Sequence, residues 1–515
     1  MEQSRLQNSL KNLTSGLISR FLIISLGFLV RTVFIRTLGN DYLGVNGLYT
    51  NILSMLSLAE LGFSTAMVYS MYKPLAEHDN QKLAALLALY KKVYRVIGCV
   101  ILVIGLCVIP FMDYIIKDPP NVDHLTFYYI LFLINTVLSY WFFAYKRSIL
   151  TADQKEYICT TYHNIVIIVK SFVQVIALIA FNNFTFYLLL QLGFTVAENV
   201  AIARFTDKNY PALWINTIDP IAKAELKTIW RNVRALMLSR LCHVILNSTD
   251  NIIISAFVGI SWVGLLSNFT LVTDSVTGVL CAITSALSAS LGNYFVEKTK
   301  EESYQLFEKV EFMNSWLYGL SSVCLITLLN PFVTLWLGEE YVLSETIVAA
   351  LVLNFFVQGY MNTLWTFRST LGLFTQGWFR PVIVAGINVA ASILLGIRFG
   401  VLGVLFATFI SRATVNVWYD PWIIHKHGFN KSVKPFFRMY FCRILEILSI
   451  IVVLGTIKYF LLGRTVTLVK FILLMVITVV VMLTMFWEYS RKSDEYRYFA
   501  QIIRSKLEKT GHCKR

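Results

Sequence analysis

Charge is scarce in this chain. Only 15% of its 515 residues are Asp, Glu, Lys or Arg, while 57% are hydrophobic. That balance excludes a soluble globular protein of this length and points to an all-α polytopic membrane protein. Cysteine is sparse and scattered: eight residues with no CxxC or Cys/His spacing, which argues against a disulfide framework or a zinc site. A Walker A sequence is missing, so ATP hydrolysis is not expected; HExxH is missing too, and no metal or cofactor is anticipated. No polar stretch is long enough for a soluble domain, or for an external loop that could house a glycosyltransferase or polymerase. The first apolar stretch lacks a small-residue cleavage site and ends in Arg31 and Arg36, so it reads as a retained helix.

What is abundant is apolar runs of about twenty residues. They recur near 16–38, 43–68, 94–116, 124–145, 157–180, 184–204, 233–258, 262–290, 312–337, 342–367, 379–397, 400–424, 441–462 and 466–488. About fourteen transmembrane helices are expected from these runs. The net charge of +15 sits almost wholly in alternate loops, such as Lys91, Lys92 and Arg95, or Lys426, Lys431 and Lys434. The opposite loops are short and carry acids such as Asp113 and Glu339. This is the positive-inside pattern; it places both ends in the cytoplasm and removes nucleic acid as a partner.

An internal repeat organises the chain. Asn12, Ser19 and Arg20 recur 220 positions later as Asn232, Ser239 and Arg240, and the same shift carries Gly39 onto Gly259 and Gly44 onto Gly264. Further along, Arg147-Ser148-Ile149-Leu150 becomes Arg368-Ser369-Thr370-Leu371, and Gln154 meets Gln376. Six helices per copy give both copies one orientation, hence two parallel six-helix bundles related by an axis along the membrane normal. The expected organisation is a bundle over 1–204, a cytoplasmic linker over 205–232, a bundle over 233–425, two further helices over 440–490, and a basic tail from 491.

Arginine inside an apolar span is costly and normally faces water, an anion or a partner charge. Arg20 and Arg31 lie eleven residues apart, on one helix face about 16 Å apart along the axis, with Gly16 and Gly27 leaving room beside them. The return helix carries Thr50, Ser54, Ser57 and Glu60. In the second bundle Arg240, His243, Asn247 and Asp250 form a stripe at steps of three and four. Such a stripe either lines a cavity or supplies interhelical hydrogen bonds; the matching arginines of the first bundle favour the cavity. Arg31, Arg20, Arg240, His243 and Asn247 are the candidates for an anionic group. Glu60, Asp250, Lys170, Glu198 and Asp274 are candidates for ion pairing or coupling, with Glu60 able to pair Arg31 and Lys170 able to pair Glu198. Arg36 reads as an interfacial anchor, Arg147 and Arg368 as fold and topology residues. The stretch from Asp79 to Tyr94 and the tail from Glu495 to Lys509 read as amphipathic surface helices.

The Ser-Arg opening, Arg36-Thr37-Leu38-Gly39, Tyr42-Leu43-Gly44-Val45 and Ala59-Glu60-Leu61-Gly62-Phe63 give the chain a family likeness. It resembles the polysaccharide flippase branch of the multidrug/oligosaccharidyl-lipid/polysaccharide exporter superfamily. Lipid II flippases of that superfamily show a comparable Ser-Arg opening, a second arginine on the same helix and an Ala-Glu-Gly sequence in helix two; here the two arginines are farther apart. The resemblance implies transport, without bond breakage, of an undecaprenyl-diphosphate-linked oligosaccharide across a bacterial cytoplasmic membrane by alternating access. It also implies a cationic cavity, a lipid-tail groove, and proton or sodium coupling. A cation-coupled multidrug antiporter would favour an acidic cavity, and a membrane glycosyltransferase or polymerase a large polar loop or carboxylate cluster.

Overall fold

In lipid, backbone polar groups must be satisfied within the chain, so apolar runs become helices. The computed structural model describes residues 2–57, 63–117, 122–213, 221, 223–297, 299–373, 376–377, 379–463 and 465–501. Side chains of 2–19 and 283–297, and several on the helix from Lys223, fall outside the described set. Among the described residues the chain is helical, without strands. The helices are α1 (Glu2–Leu38), α2 (Asn40–Leu56), α3 (Phe63–Ala76), α4 (Asn80–Val108) and α5 (Met112–Ile115). Next come α6 (Leu125–Trp141), α7 (Arg147–Ala152), α8 (Glu156–Phe181), α9 (Phe184–Asn209), α10 (Lys223–Phe257) and α11 (Ile260–Glu297). The last five are α12 (Lys300–Trp336), α13 (Glu345–Thr370), α14 (Arg380–Ile423), α15 (Lys434–Leu462) and α16 (Leu468–Ser490).

Among the described residues ten of these, or eleven counting the bent pair of α6 with 144–152, are long and apolar enough to cross a membrane. The protein is therefore a multi-pass membrane protein, and the described residues alone do not give the expected count of fourteen. Two expected spans over 379–424 run together as α14, which breaks at Gly400 (φ 62°, ψ −140°). The expected span 43–68 appears as α2 and α3 on either side of undescribed residues. The stretch 79–94 is corrected: it is the first half of α4, capped by the Asp79 side chain accepting from Lys82 N at 2.9 Å. Leu83, Leu86, Tyr90 and Tyr94 are buried there, so this half packs inside the bundle instead of lying on a surface.

Two compact units emerge. One comprises Met1–Ser267 with Ala385–Val404, the other Asn268–Val384 with Leu405–Arg515. In the first, Tyr49 is fully buried and meets Tyr129 edge-on at 5.4 Å and Phe132 at 5.8 Å. Such aromatic pairs add about 0.5–1.5 kcal/mol each to plain burial. The turns that start α2 and α11 are made by Gly39 (φ 91°) and Gly259 (φ 141°), backbone conformations that residues with a Cβ rarely adopt. In the second unit Phe307, Phe367, Tyr360 and Phe436 join Ile423 and Ile424 in one core, and Trp316, Val323, Ile450 and Leu454 form another.

Candidate functional site

Arg31 projects from α1 about three turns beyond the exposed Arg20. It is half-buried, and its Nη1 donates to Ser267 Oγ at 2.7 Å. Ser267 in turn donates to the Gly264 carbonyl at 2.7 Å, which fixes the hydroxyl as an acceptor for the guanidinium. One turn on, Phe34 packs edge-on against Tyr187 at 5.2 Å and Phe184 at 5.8 Å. This aromatic wall holds α1 against α9 and orients the arginine. Its hydrogen-bond partner among the described residues is thus a neutral hydroxyl, which binds the cation without cancelling its charge. Glu60, the carboxylate expected to pair with it, lies outside the described residues. Arg36 is exposed near the end of α1.

Thr50 on α2 and Ser57, which caps its end, bond to carbonyls of that helix at 2.7 and 2.8 Å, and Thr50 and Ser54 are exposed. On α10 the backbone of the stripe is helical as expected, but the side chains of Arg240, His243 and Asn247 lie outside the described residues. Its last member, Asp250, is described. Ser392 donates to Asp250 Oδ1 at 3.5 Å, and the adjacent Thr249 donates to Asn388 Oδ1 at 3.4 Å. Asn388 and Ser392 are fully buried and four residues apart on α14, so one helical face presents both to α10. Carboxylate, amide and hydroxyl oxygens gathered this way are hard donors, suited to an alkali cation or a proton. Among the described residues no cluster of three or more His, Cys, Asp or Glu could hold a metal ion.

Glu198 on α9 meets His163 Nδ1 at 3.0 Å. Lys170 lies two turns beyond His163 on α8, half-buried, where its charge acts on Glu198 without direct ion-pair contact. Asp274 is exposed on α11. The two arginines of the repeated Arg-Ser-x-Leu segment differ. Arg147 pairs with Glu156 at 2.9 Å, whereas Arg368 joins Arg380 on the buried Asp420. Sequence reading missed Ser267, His163, Asn388, Ser392, Arg380 and Asp420. Asn388 and Ser392, polar residues one helical turn apart inside an apolar run, carried the clearest signal.

No family model matches the chain, and no curated protein matches it. Solved structures do. The lipid II flippase MurJ, in an inward closed conformation, superposes with a TM-score of 0.68 at 15% identity, over 92% of this chain and 98% of that one. A multidrug resistance MATE family transporter of the MOP superfamily, inward-facing, gives 0.60 at 14% identity over 79% and 98%. A MATE transporter of Vibrio cholerae gives 0.57 at 13% identity over 84% and 98%. The chain has the fold that MurJ and the MATE transporters share.

Proposed function

We propose that this protein is a flippase that moves an undecaprenyl-diphosphate-linked oligosaccharide across the bacterial cytoplasmic membrane for cell-surface polysaccharide synthesis. The observation that carries the reading is Arg31: a guanidinium inside an apolar span, held by the neutral Ser267 hydroxyl at 2.7 Å. An arginine positioned this way keeps its charge and its remaining donors for an anion, and a diphosphate accepts such donors bidentately. The fold shared with MurJ, whose own substrate is named as lipid II, supports the same direction. Alternating access between the two repeats would carry the headgroup, and no bond need break. Arg20, Arg240, His243 and Asn247 are proposed to extend the cationic lining.

Coupling is proposed at Asp250, with Ser392, Thr249 and Asn388 completing an oxygen set for sodium or a proton. One monovalent cation moving down 100 mV supplies about 2.3 kcal/mol. The test is flipping of a fluorescent undecaprenyl-diphosphate oligosaccharide in proteoliposomes, wild type against Arg31→Ala at matched reconstitution. Transport by wild type and its loss in the variant support the proposal. Absence of glycolipid flipping, with cation-gradient-driven dye efflux instead, would replace it with a multidrug antiporter.

A further inference from the structure

The repeated Arg-Ser-x-Leu segment ends differently in its two copies. In the second copy, Arg368 Nη1 reaches Asp420 Oδ1 at 3.3 Å and its Nε donates to the Leu373 carbonyl at 2.9 Å. Arg380 brings a second guanidinium to the same carboxylate, and with Asp420 fully buried the three side chains close the space. In the first copy Arg147, the counterpart of Arg368, meets Glu156 at 2.9 Å, and the charge of Glu198 acts on it as well. Cys159 is fully buried near the charges of Arg147, Glu156 and Glu198.

Beside this first-copy cluster lies a cavity of about 530 Å³, bounded among others by Tyr90, Tyr94, Arg147, Glu156, Glu198 and Asn199. That volume is in the range of small-molecule sites and has room for roughly one or two hexose rings. Two carboxylates, Glu156 and Glu198, are balanced by Arg147 and the nearby Lys170, so the site favours neither an anion nor a cation. It offers instead charged donors and acceptors, an amide and threonine hydroxyls beside tyrosine rings. A sugar ring needs that combination, having hydroxyls around its rim and a C–H face that packs on aromatic surface. We propose that the cavity within the first repeat binds neutral hexose-type sugar. Resting on the flippase reading above, the ligand would be part of the glycan carried by the transported lipid, held apart from the diphosphate at Arg31.

The test uses saturation-transfer NMR on the full chain in detergent. The probes are free glucose, galactose, N-acetylglucosamine, lactose and chitobiose. Wild type should pass saturation to at least one of them. Cys159→Arg, which puts a long cation beside Arg147, Glu156 and Glu198 of the cavity wall, should abolish the signal; Thr195→Leu, which adds bulk to that wall, should weaken it severalfold. A cooperative thermal transition verifies folding of each variant, and Thr195→Leu decides alone if Cys159→Arg does not fold. No transfer to any sugar, or transfer undiminished in the folded variants, overturns the proposal. Flipping of undecaprenyl-diphosphate glycan by a wild type that binds no free sugar would sink the pocket and keep the flippase. Sugar binding lost in the variants, from a wild type that flips no glycolipid, would keep the pocket and sink the flippase.

Discussion

Gly44 and Gly264, 220 positions apart, each press against the turn that starts the other's helix. A Cβ at Gly44 would fall 2.4 Å from the Ile260 carbonyl oxygen, and one at Gly264 would fall 2.6 Å from the Asn40 carbonyl oxygen. Asn40 and Ile260 are themselves 220 positions apart, so the contact is reciprocal, as at a two-fold interface. Ser261 donates to Asp41 at 2.8 Å across the same crossing, a further pair with that spacing. Because the obstacle is backbone on both sides, Gly44→Ala or Gly264→Ala should each cost about 1–3 kcal/mol. The double variant should cost less than the sum, since the first substitution already parts the helices. Gly27→Ala has no atom within 4 Å of its new methyl and should stabilise the helix by about 0.5–1 kcal/mol. Thermal unfolding of the four variants checks this; equal effects at Gly27 and Gly44 would refute it.

Arg31 tests the anion reading through its chemistry rather than its bulk. Arg31→Lys keeps the charge but loses the planar fork, and should slow glycolipid flipping by about tenfold, the equivalent of one charge-assisted hydrogen bond at ~1.4 kcal/mol. Arg31→Ala should slow it further. Ser267→Ala removes only the supporting hydroxyl and should cost less than either. A lysine variant as fast as wild type would reduce the role of Arg31 to general positive charge.

The membrane class, the all-helical fold and the repeat were legible because they rest on run length and spacing, which the sequence displays directly. The reciprocal packing of Gly44 and Gly264, and the positive φ at Gly39 and Gly259, are what that spacing means in three dimensions. Partners were not legible. A polar stripe defines a face of a helix but not what meets it, so Asp250 was singled out while Ser392 and Asn388 were not. Glu198 was matched with Lys170 on charge alone, whereas its hydrogen bond goes to His163. The charged residues between 79 and 94 outweighed the leucines and tyrosines that pack that half of α4 into the bundle. Hydropathy cannot tell a surface helix from a buried one with a solvated rim.

Asp420 holds two arginines in a site closed to water. Removing one member of such a buried network leaves an uncompensated charge, at about 3–5 kcal/mol. Asp420→Asn should therefore lower the unfolding midpoint sharply, since Arg368 and Arg380 would face each other unneutralised. Asp494→Asn, at an exposed pair with Arg497 at 3.5 Å, should change it by no more than about 1 kcal/mol. Similar midpoints for the two would show that the second copy closes by apolar packing alone.

Outside the spans, Asp153, Lys155 and Tyr210 form a small network. Lys155 Nζ lies 2.6 Å from Asp153 Oδ2 and 3.1 Å from the Tyr210 hydroxyl, which donates to Asp153. Burial alone would raise the Asp153 pKa, but the hydrogen bonds from Lys155 and Tyr210 outweigh it and hold the carboxyl below its ordinary value. A depressed carboxyl contributes stability that is present above the unfolded pKa of about 3.9 and is lost as pH falls through the folded value. Tyr210→Phe removes one of the donors, so the contribution should shrink above pH 4 and fade at a higher pH than in wild type. Unfolding midpoints measured across the acid range would show the two curves converging at the lowest pH. Parallel curves would mean that Asp153 is not held by Tyr210.

Asp250 separates the two possible driving ions. If the oxygens of Asp250, Ser392 and Asn388 take sodium, flipping should rise with an inward sodium gradient at fixed pH. Ser392→Ala should then raise the sodium concentration for half-maximal rate by about tenfold, the effect of losing one oxygen worth ~1.4 kcal/mol. If the carboxyl instead takes a proton, sodium should have no effect and an inward proton gradient should drive transport. Ser392→Ala would then matter little, because protonation does not need the full oxygen set. Asp250→Asn should abolish gradient dependence in both cases while leaving downhill exchange of the lipid-linked substrate. Gradient-driven flipping that persists in Asp250→Asn would place coupling elsewhere in the chain, and the pairing of Asp250 with Ser392 would then be one of the interhelical hydrogen bonds that hold membrane bundles together.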